Sequence, residues 1–359
     1  VYCAVTMEMS PQLLNPPAGP TGGDAHFSLA SSAKVIGTVH LGPGALIAQG
    51  AVVRSPRGGV RLGAGSAVRE NAAVIGTPEL PVSVGERAVV GQRCVVMGAE
   101  VGPLSEVGSG AILMPFARVG ARCLVAEGTV IPSGMVVPDE SVVTGRPGHV
   151  LRRATAEDLE RLRKLRGGGL ALPGQPLTAF SARDRAEDAP MGQLYTFRDK
   201  HPLVHPTAIL FSTAEVSGDV VIGPGCIIGA GVKIVGDSHG PVRIGSGVQL
   251  LANTVLHLPP DNALVLEDGV IIGPGCVVHG CHVGAGTVVE PGAILCDGSR
   301  LGQGCHVSAG SLVNPLTRFP DGARVEGFPA VQTGTLSTPP PLPRWALRPE
   351  DLPGLRRVS

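Results

Sequence analysis

Aromatic residues are scarce in this chain: seven Phe, two Tyr and one Trp make up 3% of 359 residues. A core built on packed rings is therefore excluded, and aliphatic side chains must supply the buried surface. Excess charge is also missing, since 29 Lys and Arg balance 29 Asp and Glu. A general electrostatic affinity for nucleic acid or acidic membranes thus has no support. No apolar run reaches the roughly 20 residues that span a bilayer, because Gly or a polar side chain interrupts every short aliphatic stretch. Over most of the chain neither helical periodicity nor simple strand alternation is present. Cysteine occurs eight times, but without the spacing of a disulfide framework. Cys94, Cys123, Cys226, Cys276 and Cys305 share one slot of a repeated unit, where a small buried hydrophobe is expected. That usage fits an intracellular, reducing compartment.

What is present is a rhythm of six. Aliphatic residues fall at Leu41, Ile47, Val53, then Leu62, Val68, Val74, then Val84, Val90, Val96. After a one-residue skip they continue at Val101, Val107, Leu113, Val119, Val125 and Ile131. A second series runs Ile222, Ile228, Ile234, Ile244, Leu250, Leu256, Ile272, Val278, then skips one and runs from Val283 to Val313. From Leu62 onward the two series differ by a constant 182, and Gly145-Arg146-Pro147 maps onto Gly327-Phe328-Pro329 by the same shift. The chain is an internal duplication. Hexads of this kind predict two tandem left-handed parallel β-helices, all-β prisms whose short strands stack coil on coil. The 52 Gly and 33 Pro suit their tight corners.

The expected organisation is an N-terminal arm (1–32), a first prism with a C-terminal helix (33–166), a linker (167–203), a second prism (204–335) and a Pro-rich tail (336–359). Thr155-Ala-Glu-Asp158 opens the helix like a capping box, and Leu159, Leu162 and Leu165 give it one apolar stripe. A helix folded back along its own prism is the ordinary reading, and a partner-binding helix the alternative. Trp345 is the expected anchor of the tail. The chain begins at Val1 without Met, so a processed or truncated product is expected.

Chemistry concentrates in the second half: Thr254-Val-Leu-His257, Ile272-Gly-Pro274 and Val278-His279-Gly-Cys-His282-Val-Gly284. With Val204-His-Pro-Thr-Ala208 and Gly218-Asp-Val-Val-Ile-Gly223, these segments resemble the γ-class carbonic anhydrase family. The resemblance covers essentially the whole second prism. It implies a trimer with zinc held between neighbouring prisms, two ligands matching His257 and His279 and the third matching Pro274. Pro has no side-chain donor, so the implied site is incomplete on this chain. The family's Arg-Gly-Asp reads Val235-Gly236-Asp237 here, and its Asn-x-Gln-Asp reads Gln249-Leu250-Leu251-Ala252. In the first half the ligand positions become Ile75, Gln92 and Met97, while Arg54-Ser55-Pro56 keeps the Arg and loses the acid. His205, His239, His282 and His306 match no ligand position and read as surface or corner residues.

The resemblance implies a catalytically degenerate scaffold subunit that supplies two prisms to a heterotrimer of γ-carbonic-anhydrase-like chains, with no catalytic residue and no cofactor of its own. The implied setting is the matrix side of the mitochondrial inner membrane, beside membrane-arm subunits of respiratory complex I, with the cytosol as the alternative. A competing expectation is an active carbonic anhydrase whose zinc is held by His257, His279 and a partner's His. Another is a hexapeptide acyltransferase, which shares the prism.

Overall fold

The computed structural model describes residues 27–165, 178–181, 192–236, 240–259, 261–348 and 351. The start of the arm, Asp237, His239 and residues 352–359 lie outside these. The described chain is nearly all β, with one helix at Ala156–Leu165. Its strands are mostly two or three residues long and pair in parallel with the strand one coil away. This is the parallel β-helix that the hexads predict, and it occurs twice.

In each coil the aliphatic residue of the hexad points inward and its predecessor outward. Val53, Val74, Val96, Leu113 and Ile131 are fully buried in the first prism, and Ile234, Leu256, Val278, Leu295 and Val313 in the second. Corners recur with the same period and carry positive φ, mostly at Gly but also at Asn71, Leu104 and Phe116. The small-residue slot lies beside the corner, where Cys94, Cys123, Cys226, Cys276 and Cys305 have no exposed surface. Their thiols donate to backbone carbonyls of neighbouring coils, as in Cys94 Sγ to Gly108 O at 3.0 Å and Cys276 Sγ to Glu290 O at 3.2 Å.

Each prism has three faces. In the second, one face runs through Glu215–Gly218, Lys233–Gly236, Val255–His257, Val277–His279, Ile294–Leu295 and Leu312–Val313; we call it the histidine face. Another, the contact face, runs through Ile209–Leu210, Ile227–Ile228, Gln249–Leu250, Ile271–Ile272, Val288–Val289 and His306–Val307, and closes in the antiparallel pair Ala323–Gly327 and Ala330–Thr335. The third is the outer face. In the first prism the counterpart of the histidine face holds Ala73–Ile75, Val95–Met97, Ile112–Leu113 and Val130–Ile131. Its contact face holds Leu46–Ile47, Ala67–Val68, Val89–Val90, Glu106–Val107 and Leu124–Val125, and closes in the pair Ser141–Gly145 and Gly148–Arg153.

Within the segment expected to be linker, Thr178–Ser181 adds an antiparallel strand to Lys34–Leu41 of the first prism. Gln193–Tyr195 already pairs with Glu215–Ser217 of the second. At the other end, Ser28–Leu29 pairs with Leu46–Ile47, so sheet pairing begins before residue 33.

The helix caps as its sequence predicts. The Thr155 hydroxyl accepts from the Asp158 amide at 3.2 Å, and an Asp158 oxygen accepts from the Thr155 amide at 2.8 Å. Leu162 is fully buried, and Arg161 reaches Glu106 on the first prism's contact face at 3.9 Å. The helix therefore returns to its own prism.

Candidate functional site: one sealed interface and one open histidine face

The two prisms pack side by side, and the seam is apolar. Val52, Ala73, Ile75, Val95, Met97, Ile112 and Val130 of the first prism join one buried cluster with Ile227, Leu251, Ile271 and Val288 of the second. The contact is head-to-tail: the first prism's histidine-face counterpart lies on the second prism's contact face. It is also close. A Cβ on Gly292 would come within 2.4 Å of Ile112 Cδ1, and one on Gly275 within 3.1 Å of Val95 Cγ2. Asn253 donates to the carbonyls of Gly50 (3.3 Å) and Asn71 (2.9 Å), and Arg146 Nη1 to Gly310 O at 2.9 Å.

The tail fastens this seam. Trp345, Ala346 and Leu347 are 4%, 4% and 2% exposed. The Trp345 indole donates to Glu290 at 3.1 Å, while its carbonyl accepts from Arg54 at 3.1 Å. Gln249 reads the Leu347 backbone twice, accepting from its N–H and donating to its carbonyl, both at 2.9 Å. The expected anchor therefore binds both prisms at once. Arg54, which the sequence left without its acid, feels the charge of Asp351, whose carboxylate pairs with Arg57 at 3.6 Å. Burial pulls its guanidinium down to about 10, and the buried Asp351 opposes that shift. It stays charged at neutral pH.

Ile75 and Met97, the first prism's counterparts of His257 and His279, lie in this seam at 3% and 0% exposure. Pro274 is buried on the contact face, next to the Gly275 that meets Val95. The metal-ligand positions of the interface within this chain are thus filled by three apolar side chains. No donor remains there to bind a cation.

The second prism's own histidine face is different. His257 and His279 stand opposite each other on paired strands, with His257 Nδ1 2.9 Å from His279 Nε2 and ring centroids 5.1 Å apart. His279 Nδ1 is hydrogen-bonded to Asp297. Both rings are half-exposed. Two imidazole nitrogens this close, one ring held from behind by a carboxylate, suit two corners of a zinc tetrahedron. They could supply two donors to a metal ion. Among the described residues, no third His, Cys, Asp or Glu converges with a pair into a metal-holding group. Asp297 was missed by sequence reasoning, although its counterpart Pro115 changes together with Ile75 and Met97.

Other predicted residues are dispersed. His205 meets Thr207 at 2.9 Å, His282 meets Glu267 at 2.8 Å and His306 meets Glu290 at 3.3 Å. Gln92 is exposed at the edge of the first prism's contact face. Val235 occupies the Arg position of the open face and is half-buried. The one shallow groove to note, about 380 Å³, lies on the second prism's outer face along Arg243, Val265, Glu267 and Asp268. Its Arg243 is paired with Asp219 and its Glu267 with His282.

No family model matches the chain. It is 34% identical over 110 residues to a carbonic anhydrase of Geobacillus kaustophilus, covering 31% of this chain and 60% of that one. It is 37% identical over 142 residues to the mitochondrial gamma carbonic anhydrase 2 of Arabidopsis thaliana, covering 38% of this chain and 51% of that one. To the carnitine operon protein CaiE of Proteus it is 32% identical over 110 residues, covering 31% and 55%. Among solved structures, a putative acetyltransferase of Bacillus cereus aligns at 30% identity and a TM-score of 0.40, covering 40% of this chain and 84% of that one. The chain spans just over half the length of these curated relatives. With two stacked-coil prisms and the His-Gly-Cys hexad, it is similar to the γ-carbonic-anhydrase-like hexapeptide-repeat proteins over about a third of its length.

Proposed function

We propose that this chain is a catalytically degenerate γ-carbonic-anhydrase-like scaffold subunit. It supplies two adjacent prisms of a three-prism ring, and another γ-carbonic-anhydrase-like chain supplies the third. The observation that carries this reading is an internal comparison. Ala73, Val95, Ile112 and Val130 are at most 7% exposed against the second prism, whereas their counterparts Val255, Val277, Ile294 and Leu312 are half-buried with no prism on them. Likewise Ile227, Ile271 and Val288 are buried by the first prism, whereas Leu46, Val89 and Glu106 on its own contact face are half-exposed. A head-to-tail contact leaves one complementary face at each end without a prism against it, the first prism's bordered by its own helix through Arg161 and Glu106, and one further prism closes such a ring. Loss of all three donors at the inner seam supports a role kept for packing rather than for chemistry.

The mitochondrial setting follows the Arabidopsis relative's name. Within it, the matrix-side γ-carbonic-anhydrase module of complex I is the assembly this reading points to. A second reading is favoured by the His257–His279 geometry: a partner's His completes a zinc site on the open face. The chemistry zinc supplies in such a site is activation of water for CO2 hydration. There His257 and His279 would hold the ion and Asp297 would orient His279.

Native mass spectrometry of the chain co-expressed with a single-prism γ-class chain tests both. The scaffold reading expects a 1:1 complex, and zinc counting on that complex separates the two readings. Recovery of the chain as a zinc-loaded homotrimer that hydrates CO2 would overturn the scaffold reading.

A further inference from the structure

We propose that Asp297 is a positioning residue of the open histidine face: by accepting the Nδ1 proton of His279, it holds that ring with its Nε2 lone pair turned toward His257. The pair is thereby preset as a two-histidine half-site for a divalent transition-metal ion. This rests on the reading of the open face as metal-capable.

The geometry carries the assignment. His279 sits on the strand Val277–His279, and Asp297 stands two residues beyond Ile294–Leu295, the next strand of the same face. One His279 nitrogen bonds to Asp297 and the other lies 2.9 Å from His257 Nδ1. An imidazole whose Nδ1–H is committed to a carboxylate has its Nε2 lone pair free to accept. In the metal-free chain that lone pair accepts from His257; toward a cation it is a ligand with raised basicity. Asp297 is 42% exposed and His279 33%, so the contact does not serve a buried core.

The duplication supplies an independent argument. On the sealed seam the three counterparts are Ile75, Met97 and Pro115, all without a donor for this purpose. The carboxylate is present where both histidines are present and absent where both are absent. Neighbouring outward positions do not follow that split: Val277 and Ile294 correspond to Val95 and Ile112, aliphatic on both faces.

The experiment uses the full chain and its Asp297→Asn and Asp297→Ala variants, with His257→Ala and His279→Ala as controls. Two-bond 1H–15N spectra of metal-free protein report the tautomer of His279, and calorimetric titration with Zn2+ reports affinity. Wild type should show His279 predominantly protonated at Nδ1. That preference should weaken in Asp297→Asn, which keeps a neutral acceptor, and disappear in Asp297→Ala. Zinc affinity should fall about 10-fold to 100-fold in the same order, and each His variant should abolish binding. An unchanged tautomer in Asp297→Ala overturns the positioning role. An Asp297-dependent tautomer in a wild-type chain that binds no Zn2+ overturns the half-site and, with it, the metal-capable reading, while the orienting contact stands.

Discussion

At the scale of single residues, position within the hexad decides chemistry. Cys94 and Cys276 are ordinary thiols by sequence, but enclosure beside a corner pushes both up to about 12. All described cysteines are free. The raised value of a buried acid carries a sign: the neutral thiols are fully accommodated below pH about 9. Between about 9 and 12 the unfolded chain ionises first, and stability falls through that window. We therefore expect the denaturation midpoint to drop between pH 9 and 11. We also expect Cys94 and Cys276 to resist iodoacetamide at pH 8 in the native state and to react on unfolding, read by peptide mass spectrometry. Trp345 was legible as an anchor because it is the single Trp. Its partners were not: Arg54, Gln249 and Glu290 lie far from it in sequence and near it only after the prisms pack. Trp345→Ala should cost about 3–5 kcal/mol in equilibrium unfolding. A loss below about 1 kcal/mol would show that the tail merely rests on the seam.

At the scale of elements, the strands were legible and the faces were not. A hexad states which residue of a coil points inward, and Val74 and Leu256 obey it equally. It does not state that Ala73 will be covered while Val255 stays half-open. Corner glycines show the same division. Gly292 has φ of 66°, a conformation any such corner requires, yet its further constraint is Ile112 from the other prism. Gly292→Val should therefore lose about 1–3 kcal/mol through backbone strain and seam overpacking together. Truncation of the neighbour in Gly292→Val/Ile112→Ala should relieve the packing share, which a double-mutant cycle measures. The helix is the local exception, for Thr155 and Asp158 could be paired from sequence alone. The Arg152 guanidinium and the Thr155 amide hold Asp158 well below the usual carboxylate range. A depressed acid stabilises above its ordinary value and loses that contribution as pH falls through its folded one. Amide shifts of Ala156–Leu165 should report fraying in acid for wild type, whereas Asp158→Asn should show weakened capping already at pH 7. The effect is modest, because Arg152 lies exposed and solvent screens the pair from its side.

At the scale of the whole molecule, the seam makes two similar prisms unlike one another. Its buried Val, Ile, Leu and Met side chains contribute on the order of 1.5–3 kcal/mol each, and the tail strap adds hydrogen bonds from both sides. Both prisms should unfold together in wild type. Met97→Asp places an unpaired charge at a fully buried position of that seam. We expect two separated transitions in calorimetry for that variant, one per prism, while a single shifted transition would show that the seam does not couple them.

The sequence by itself determined the fold and the duplication, because inward and outward positions in a stacked coil follow from local period and corner chemistry alone. It also exposed His257, His279 and Pro274 as unequal remains of one pattern, through alignment of the chain on itself. Only the tertiary structure decided which copy of that pattern is sealed and which is open. That choice depends on how two rigid prisms meet, a sum of contacts between residues about 180 positions apart. It placed Ile75, Met97 and Pro274 in a buried apolar seam and left His257, His279 and Asp297 facing outward, where a neighbour or a cation can reach them.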